Sequence, residues 1–281
     1  AMREIERGIS MNLAAVGAMD IKQMLDQLKV KILQQKVLVV NNLHPGENQV
    51  KYIIFLSFSD GKSRAYVCKG VANSIEASWK NTVDGLHKKV KKLDLKPIWI
   101  KADLVNNVKE YTYADFIKYV SGIKTNYFRE GIAFDRMFNL AFLEQEVNAN
   151  VFIYSDKDSP QKRIAWRNIN EHVKYNLGIK LVLDEKIVRK VYLFTTIGFF
   201  HDGTNGYKLN NEWLNNGRRQ VEKIDADYLR FIIEKSANYL TSQVDSTGKL
   251  RYGYFPCFNR EIPKYNILRH SSTTYSMVEA F

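Results

Sequence analysis

Apolar residues recur at spacings of three and four through Ile21, Met24, Leu25, Leu28 and Ile32, which predicts a helix over residues 20–35. The pattern then breaks into short apolar runs. Val37–Val40 predicts a strand, residues 44–48 a turn, and residues 50–58 a long strand. Asp60-Gly61 is the signature of a tight hairpin, with its partner returning over residues 63–69. From about Asn73 the helical spacing resumes, with Ile75, Trp79, Val83, Leu86 and Val90 on one stripe and Asn73 with Glu76 as a capping pair. Residues 97–105 predict a strand, Thr112 with Asp115 opens a short helix, residues 137–147 read as a helix and residues 150–154 as a strand.

The polar run closed by Pro160 reads as a linker over residues 155–160. Beyond it, residues 163–177 predict a helix and residues 181–197 a short helix and a strand, followed by a turn at residues 201–206. A helix over residues 225–244 carries Ile224, Tyr228, Phe231, Ile232, Tyr239 and Leu240 on one side. An extended aromatic stretch at residues 249–255 and a last helix from about Lys264 to Phe281 complete the pattern. Strands and helices mix without strict alternation. The expectation is therefore an α+β domain over residues 20–154, a linker at 155–160 and a mainly α part over 161–281. Ala1-Met2 and Gly17-Ala18-Met19-Asp20 read as cloning remnants around a vector-derived leader, which places residues 1–19 outside the fold.

Charge narrows the partners. The 281 residues hold 42 Lys and Arg against 30 Asp and Glu, a net +12 that attracts polyanions. Many of these lysines are solvated surface, and the densest cluster, Lys88, Lys89, Lys91 and Lys92, ends a helix where cations offset the dipole. No apolar run approaches the ~20 residues of a membrane span, and no secretory signal is evident, so the expected compartment is cytoplasmic. Cys68, Cys257 and five scattered histidines make no metal-ligand spacing, so no metal and no cofactor is expected. Asp60-Gly-Lys-Ser63 lacks the upstream glycine of a phosphate loop, and His201-Asp202 lacks the partners of a metal phosphohydrolase. Residues 249–258 mix aromatics with cations as single-strand binders do. Without an RNP-like motif, however, nucleic acid is not the expected partner.

Two constellations carry candidate chemistry. In the first, Arg129 and Asp135 precede Glu144 and Glu146, which cannot share a helix face. One glutamate can pair with Arg129 or Arg136, and paired carboxylates suit acid–base work. The same residues also read as a salt-bridged junction in which Asp135 caps the following helix. In the second, Asn266, Arg269, His270, Thr273 and Met277 fall on one continuous helical face, which suits a helix lining a cavity. Arg269 supplies a fixed cation and His270 a group that titrates near neutrality. Tyr252 and Tyr254 offer flat amphipathic surface of the kind sugars stack against. The alternative for this face is a polar seam between helices.

The helix ending in Tyr239-Leu, the turn Asp245…Gly248-Lys, the hairpin Tyr252-Gly-Tyr254-Phe-Pro and the run Tyr265-Asn-Ile-Leu-Arg-His-Ser-Ser-Thr-Thr-Tyr resemble one helical hairpin of the (α/α)-toroid proteins. These include six-hairpin glycosidases, polysaccharide lyases and epimerases. The resemblance covers about residues 220–281. It implies that Tyr254, Asn266, Arg269 and His270 face a cavity and that Asp202 is a loop carboxylate at its rim. It further implies catalytic roles for His270, Arg269 and Tyr254, with Tyr252, Asn266, Thr273 and Asp202 contacting substrate. A closed toroid needs about a dozen helices, so either the chain is a fragment of a longer protein or the likeness is to a single hairpin only; Met277-Val-Glu-Ala-Phe281 carries no helix stop signal, which favours the fragment. The expected function is action on an acidic carbohydrate polymer. The competing class is a non-catalytic interaction module whose basic surface binds a polyanion or a protein.

Overall fold

The computed structural model describes residues 20–35, 52–61, 64–124, 127–147, 152–155, 162–255 and 260–280. The leader at 1–19, the strand expected at Val37–Val40, the turn at 44–48, linker residues 156–160 and Cys257 lie outside the described residues. The chain divides into two compact units, Ala1–Gln220 and Val221–Phe281.

The first unit is mixed α/β, built on an antiparallel sheet of seven strands curled into a half-barrel. Its strands are β1 (Tyr52–Ser59), β2 (Tyr66–Ala72), β3 (Trp99–Thr112), β4 (Gly131–Ala133), β5 (Ala141–Phe142), β8 (Lys190–His201) and β9 (Gly206–Lys208). The order is β2-β1-β3-β8-β4-β5, with β9 also paired to β8. A separate two-stranded ribbon pairs β6 (Ile153–Ser155) with β7 (Lys162–Ile164). The helices are α1 (Ile21–Leu33), α2 (Ile75–Leu93), α3 (Tyr113–Ser121), α4 (Glu144–Val147) and α5 (Trp166–Leu177).

The two long strands organise the sheet. β3 and β8 pair from Ile100↔His201 to Thr112↔Lys190, and both are rich in the β-branched and aromatic residues that fit a pleated surface. Their register shifts between Val105 and Asn107, which makes Asn106 the extra residue of a β-bulge. The bulge also moves the side-chain alternation by one, so Val105 and Val108 enter the same core.

Alternation along β1 sends Ile54, Leu56 and Phe58 to one face and Ile53 and Phe55 to the other. Met24, Leu25, Leu28 and Ile32 of α1 and Trp79 and Leu86 of α2 cover the first face. On the second, Phe55 stacks on Phe194 with ring centroids 5.6 Å apart, joined by Phe138 and Leu143. Each such side chain contributes roughly 1.5–3 kcal/mol on full burial. α1 starts on a capping box between Asp20 and Gln23. α2 is capped by Ser74, one residue later than the expected Asn73, its Oγ accepting the Ala77 N–H at 3.1 Å. Thr112 caps α3 as expected, accepting the Asp115 N–H at 3.1 Å.

Two expectations are corrected here. Residues 137–147 do not form one helix; only Glu144–Val147 is helical. Asp135 is the reason. Its carboxylate accepts the backbone N–H groups of Met137, Asn139 and Leu140, folding the segment into a turn between β4 and β5. The break expected at 155–160 is not the boundary between compact units. β6 and β7 pair across it, and β8 sits inside the main sheet, so the first unit runs on to Gln220.

The second unit comprises α6 (Ala226–Ser242), the hairpin of β10 (Tyr254–Phe255) and β11 (Arg260–Glu261), and α7 (Ile267–Glu279). Asp225 caps α6 and Asn266 caps α7. Its apolar positions are open: Phe231, Ile232 and Tyr239 of α6 and Ile267, Leu268, Tyr275 and Val278 of α7 are all exposed. His270, Thr273 and Met277 are the half-buried side of α7. No helix among the described residues is long and apolar enough to cross a membrane.

Gly70 of β2 lies directly under α2, where an added Cβ would sit 2.3 Å from the Ser78 carbonyl oxygen and 2.4 Å from Thr82 Oγ1. Gly70→Ala is therefore expected to destabilise the protein by about 1–3 kcal/mol in urea unfolding. Gly85→Ala, whose new methyl would meet Cys68 at an ordinary 3.6 Å, is expected to match or exceed the parent stability because alanine favours the helix.

Candidate functional site

One edge of β8 is occupied by β3 along its length. The opposite edge is shared, with β4 pairing at residues 192–194 and β9 at residues 199–201. Between them the edge is left to loops, and a cavity of about 170 Å³ opens there. Tyr119 and Ile123 from α3 and its end, residues 127–130 leading into β4, Thr195 of β8, and Asn211, Trp213 and Asn216 line it. The β3 bulge reaches this place too, because Thr195 Oγ1 donates to Asn106 Oδ1 at 2.8 Å.

The loop at 209–219 is closed by its own backbone. Asn210 N–H donates to Arg218 O at 2.7 Å and Gly217 N–H to Asn210 O at 2.8 Å. Asn216, buried, ties it to the floor through the Arg129 carbonyl at 3.3 Å. Trp213 begins a 3₁₀ turn over Trp213–Asn215 with φ +28°, a conformation bulky residues seldom adopt. Its indole is 70% exposed and Tyr127 is 38% exposed, so aromatic surface stands open at the cavity.

Glu130 is the carboxyl of the site. Burial pushes its pKa up, against the opposing pull of the Tyr119 hydroxyl, which donates to Oε2 at 2.7 Å, and of Lys109. Burial and that same hydrogen bond drive the Tyr119 phenol well above its usual range. Next to the cavity, Arg129 Nε lies 3.7 Å from Glu144 Oε1. Burial raises the Glu144 pKa while Arg129, Lys101 and Arg218 hold it back. Lys101 pairs with buried Asp103 at 2.8 Å, and Asp103 also accepts the Thr196 hydroxyl at 2.9 Å. Among the described residues, no three His, Cys, Asp or Glu side chains converge in a way that would hold a metal ion.

Of the first sequence constellation, the structure joins Arg129 and Glu144 and separates the others. Asp135 staples its turn. Glu146 points away, accepting the Leu143 N–H at 2.9 Å and lying 3.7 Å from the buried His172 Nε2. The two glutamates diverge as their spacing requires. Asp202 belongs to the first unit and holds the turn between β8 and β9. Burial alone would raise its pKa, but the N–H groups of Asn205 and Thr204 and the Tyr207 hydroxyl hold it below the usual carboxylate range. It is a committed turn staple, not an open rim carboxylate. Its neighbour His201 is fully buried, its Nδ1 accepting the Gly203 N–H at 3.1 Å and its Nε2 lying 3.1 Å from Gln27 Oε1.

In the second unit, Asn266 is spent on the cap, accepting the Arg269 N–H at 3.0 Å. The Arg269 guanidinium sits 5.0 Å from the Tyr252 ring centroid, and Lys249 Nζ sits 4.9 Å from that of Tyr265. Tyr265 in turn packs 5.7 Å from the His270 ring, whose Nδ1 is buried without a hydrogen-bond partner among the described residues. Thr273 is half-buried and Tyr254 exposed. Two of these contacts, Arg269 on Tyr252 and Lys249 on Tyr265, set a cation against an aromatic ring. Sequence reasoning missed Tyr119, Glu130, Asn211, Trp213 and Asn216. A lone tryptophan inside the asparagine-rich run Asn210-Asn-Glu-Trp-Leu-Asn-Asn-Gly217 was the available signal.

No family model and no curated protein matches the chain. Among solved structures it is similar to the crystal structure of uncharacterized protein PH0010 from Pyrococcus horikoshii, with 12% identity over 67% of this chain and 93% of that one and a TM-score of 0.33. At that level the likeness carries no argument.

Because its folded-state pKa is raised, ionised Glu130 weakens the fold once pH rises above the ordinary glutamate range. Glu130→Gln keeps an acceptor for Tyr119 and removes that charge. In urea unfolding across pH 4–8 the variant is expected to gain on the parent protein as pH rises, and the gap is expected to close toward pH 4.

Proposed function

We propose that this protein is carbohydrate-active, binding a glycan at the cavity beside Trp213 and moving a proton through Glu130. The observation that carries the reading is the open side chain of Trp213, held in a strained turn over a cavity that also contains Tyr127, Asn211, Asn216 and the half-buried carboxyl of Glu130. Sugars present an apolar ring face and a fringe of hydroxyls. Exposed aromatic rings flanked by amide groups meet both demands. A carboxyl kept protonated to higher pH by burial is the group that acid catalysis on a glycosidic oxygen or a ring carbon needs. Arg129 and the net charge of +12 favour an acidic polysaccharide over a neutral one.

The toroid likeness of residues 220–281 is part of this proposal. It is supported by the order helix, hairpin, helix in the second unit, and there His270 would move a proton and Arg269 hold an anion at a place of that unit's own, separate from the Trp213 cavity. The cytoplasm is the compartment assumed, in keeping with the free thiol of Cys68. The stacked pairs Arg269–Tyr252 and Lys249–Tyr265 favour a second reading, an interaction module that grips a polyanion.

Titration of the full chain with neutral and acidic oligosaccharides, followed by tryptophan fluorescence and calorimetry, separates these. Trp213→Ala is expected to weaken glycan binding about tenfold or more, in line with the loss of an aromatic anchor. Glu130→Gln is expected to retain binding and to lower turnover by about 10²-fold or more. Binding confined to polyanions in general, steeply salt-dependent and indifferent to both substitutions, would select the interaction module. Absence of any glycan binding would end the carbohydrate reading.

A further inference from the structure

The last turn of α5 closes a second cavity of about 230 Å³, with Asn176 and Leu177 on one wall and residues 64–69 at the β2 edge on another. Beyond it the chain turns back on itself. Gly178 takes the left-handed conformation, φ +69°, and its N–H donates to the Lys174 carbonyl at 3.1 Å, which ends the helix. Residues 179–182 then run without regular secondary structure. At Leu183 the chain is pinned again. The Leu183 N–H donates to Asn170 Oδ1 at 2.8 Å, and Asn170 Nδ2 donates to the Leu183 carbonyl at 2.9 Å. Asn170 lies roughly two turns back along α5, so the stretch between the two anchors folds back along the helix. Leu183 and Val188 are buried, and Asp184 folds the far end into a turn by accepting the N–H groups of Lys186 and Ile187.

What these anchors hold out to solvent is apolar. Tyr175, Leu177, Ile179, Leu181, Val182 and Ile187 are all exposed, Tyr175 by 69%, Val182 by 70% and Ile187 by 59%. Single exposed apolar side chains are ordinary, but six within residues 175–187 make a patch. A lysine adjoins each part of it. Lys174 precedes Tyr175 and holds its Nζ 5.4 Å from that ring centroid, Lys180 stands between Ile179 and Leu181, and Lys186 precedes Ile187. All three lysines are exposed. The carboxylates of the stretch are Asp184, committed to its turn, and Glu185. Lysine is depleted from protein–protein interfaces, whose centres are dry and lose their charges. Apolar side chains interleaved with lysines suit a lipid surface instead. There the apolar groups enter the acyl boundary, while the long lysine stems let each ammonium reach the negative headgroups.

We propose that residues 174–187 of the first unit dock on an anionic lipid surface, with Leu181, Val182 and Ile187 entering the boundary between headgroups and acyl chains and Lys174, Lys180 and Lys186 meeting the headgroups. Attachment of this kind is peripheral and needs no helix that crosses the membrane. The two anchors matter, because a patch held in place before contact loses little conformational freedom on docking. Neither Trp213 nor Glu130 takes part, so the docking surface is independent of the glycan reading.

Sedimentation of the full chain with vesicles tests the surface, one set of pure phosphatidylcholine and one with about a third phosphatidylserine. Binding is expected on the anionic set and about tenfold or more weaker on the neutral one. Val182→Asp and Ile187→Asp are each expected to weaken it about tenfold, since each removes an apolar contact and sets a carboxylate against the headgroups. Lys180→Glu is expected to do the same. Lys80→Glu, an equal charge change on the exposed side of α2, is expected to stay within about twofold of the parent. Val182→Trp is expected to shift its emission to the blue when anionic vesicles are added, as an indole does on leaving water. Absence of vesicle binding would overturn the proposal, as would indifference to both aspartate variants. Equal loss in the two lysine variants would also overturn it, since net charge alone would then account for the attraction. Self-association that Val182→Asp abolishes, in a chain that ignores vesicles, would reassign the patch to a protein contact and overturn the lipid reading.

Discussion

The pairing of β3 with β8 is the constraint on which the first unit depends. It joins residues 99–112 to residues 190–201, so the 77 intervening residues form one closed excursion between two strands. A pairing of such long sequence separation has a large loop-closure cost, which the two cores on either face of the sheet must offset. It also fixes where everything else docks. β1 and β2 extend the sheet from β3, while β4, β5 and β9 extend it from β8. The Asn106 bulge within this pair sets which side chains enter which core, and it hands Thr195 to the cavity.

Both cavities are consequences of sheet edges. An edge exposes unpaired backbone groups, and proteins cover, bend or fill it. On β8 the edge between β4 and β9 is covered by a short loop that brings Trp213 and Asn216 with it. At the ends of the half-barrel, β2 and β5 are not paired, and Lys69 of β2 reaches the Asn139 carbonyl before β5 instead. The chemistry of each place follows from what covers it. Aromatic rings, amides and a half-buried carboxyl gather at the first, whereas the second is crossed by Lys69.

Buried polar groups elsewhere are committed to structure. Asp135 and Asp202 each bind several backbone N–H groups of a tight turn, His201 is held between Gly203 and Gln27, and His172 sits edge-on to Phe142 and Phe152 with centroids at 5.1 and 5.5 Å. Such groups look like site residues in a sequence because the same residue types serve turns and catalysis. The difference lies in how many of their bonds the local backbone already uses. In the second unit the balance is reversed. The apolar sides of α6 and α7 stand exposed, and the cations rest on tyrosines.

Local pattern was enough for most of the helices, for the caps at Ser74 and Thr112 to within a residue, and for the pair of strands on either side of Asp60-Gly61, because these depend on contacts within a few residues. It also required Glu144 and Glu146 to part, which follows from helical geometry alone. The sequence could not show that Asp135 would fold residues 135–140 into a turn, since a helix and a stapled loop share that composition. Nor could it show that the polar run at 155–160 lies inside one compact unit. That was decided by strand pairing between residues far apart in the chain, which leaves no periodic trace. Arg129 and Glu144 were legible as a pair, but Glu130, Tyr119 and Trp213 became a site only when β4 and β9 took opposite ends of one edge of β8. Sequence sets what each segment prefers to be. Which segments meet, and therefore which side chains share a cavity, is settled by the long-range pairing that the tertiary structure alone displays.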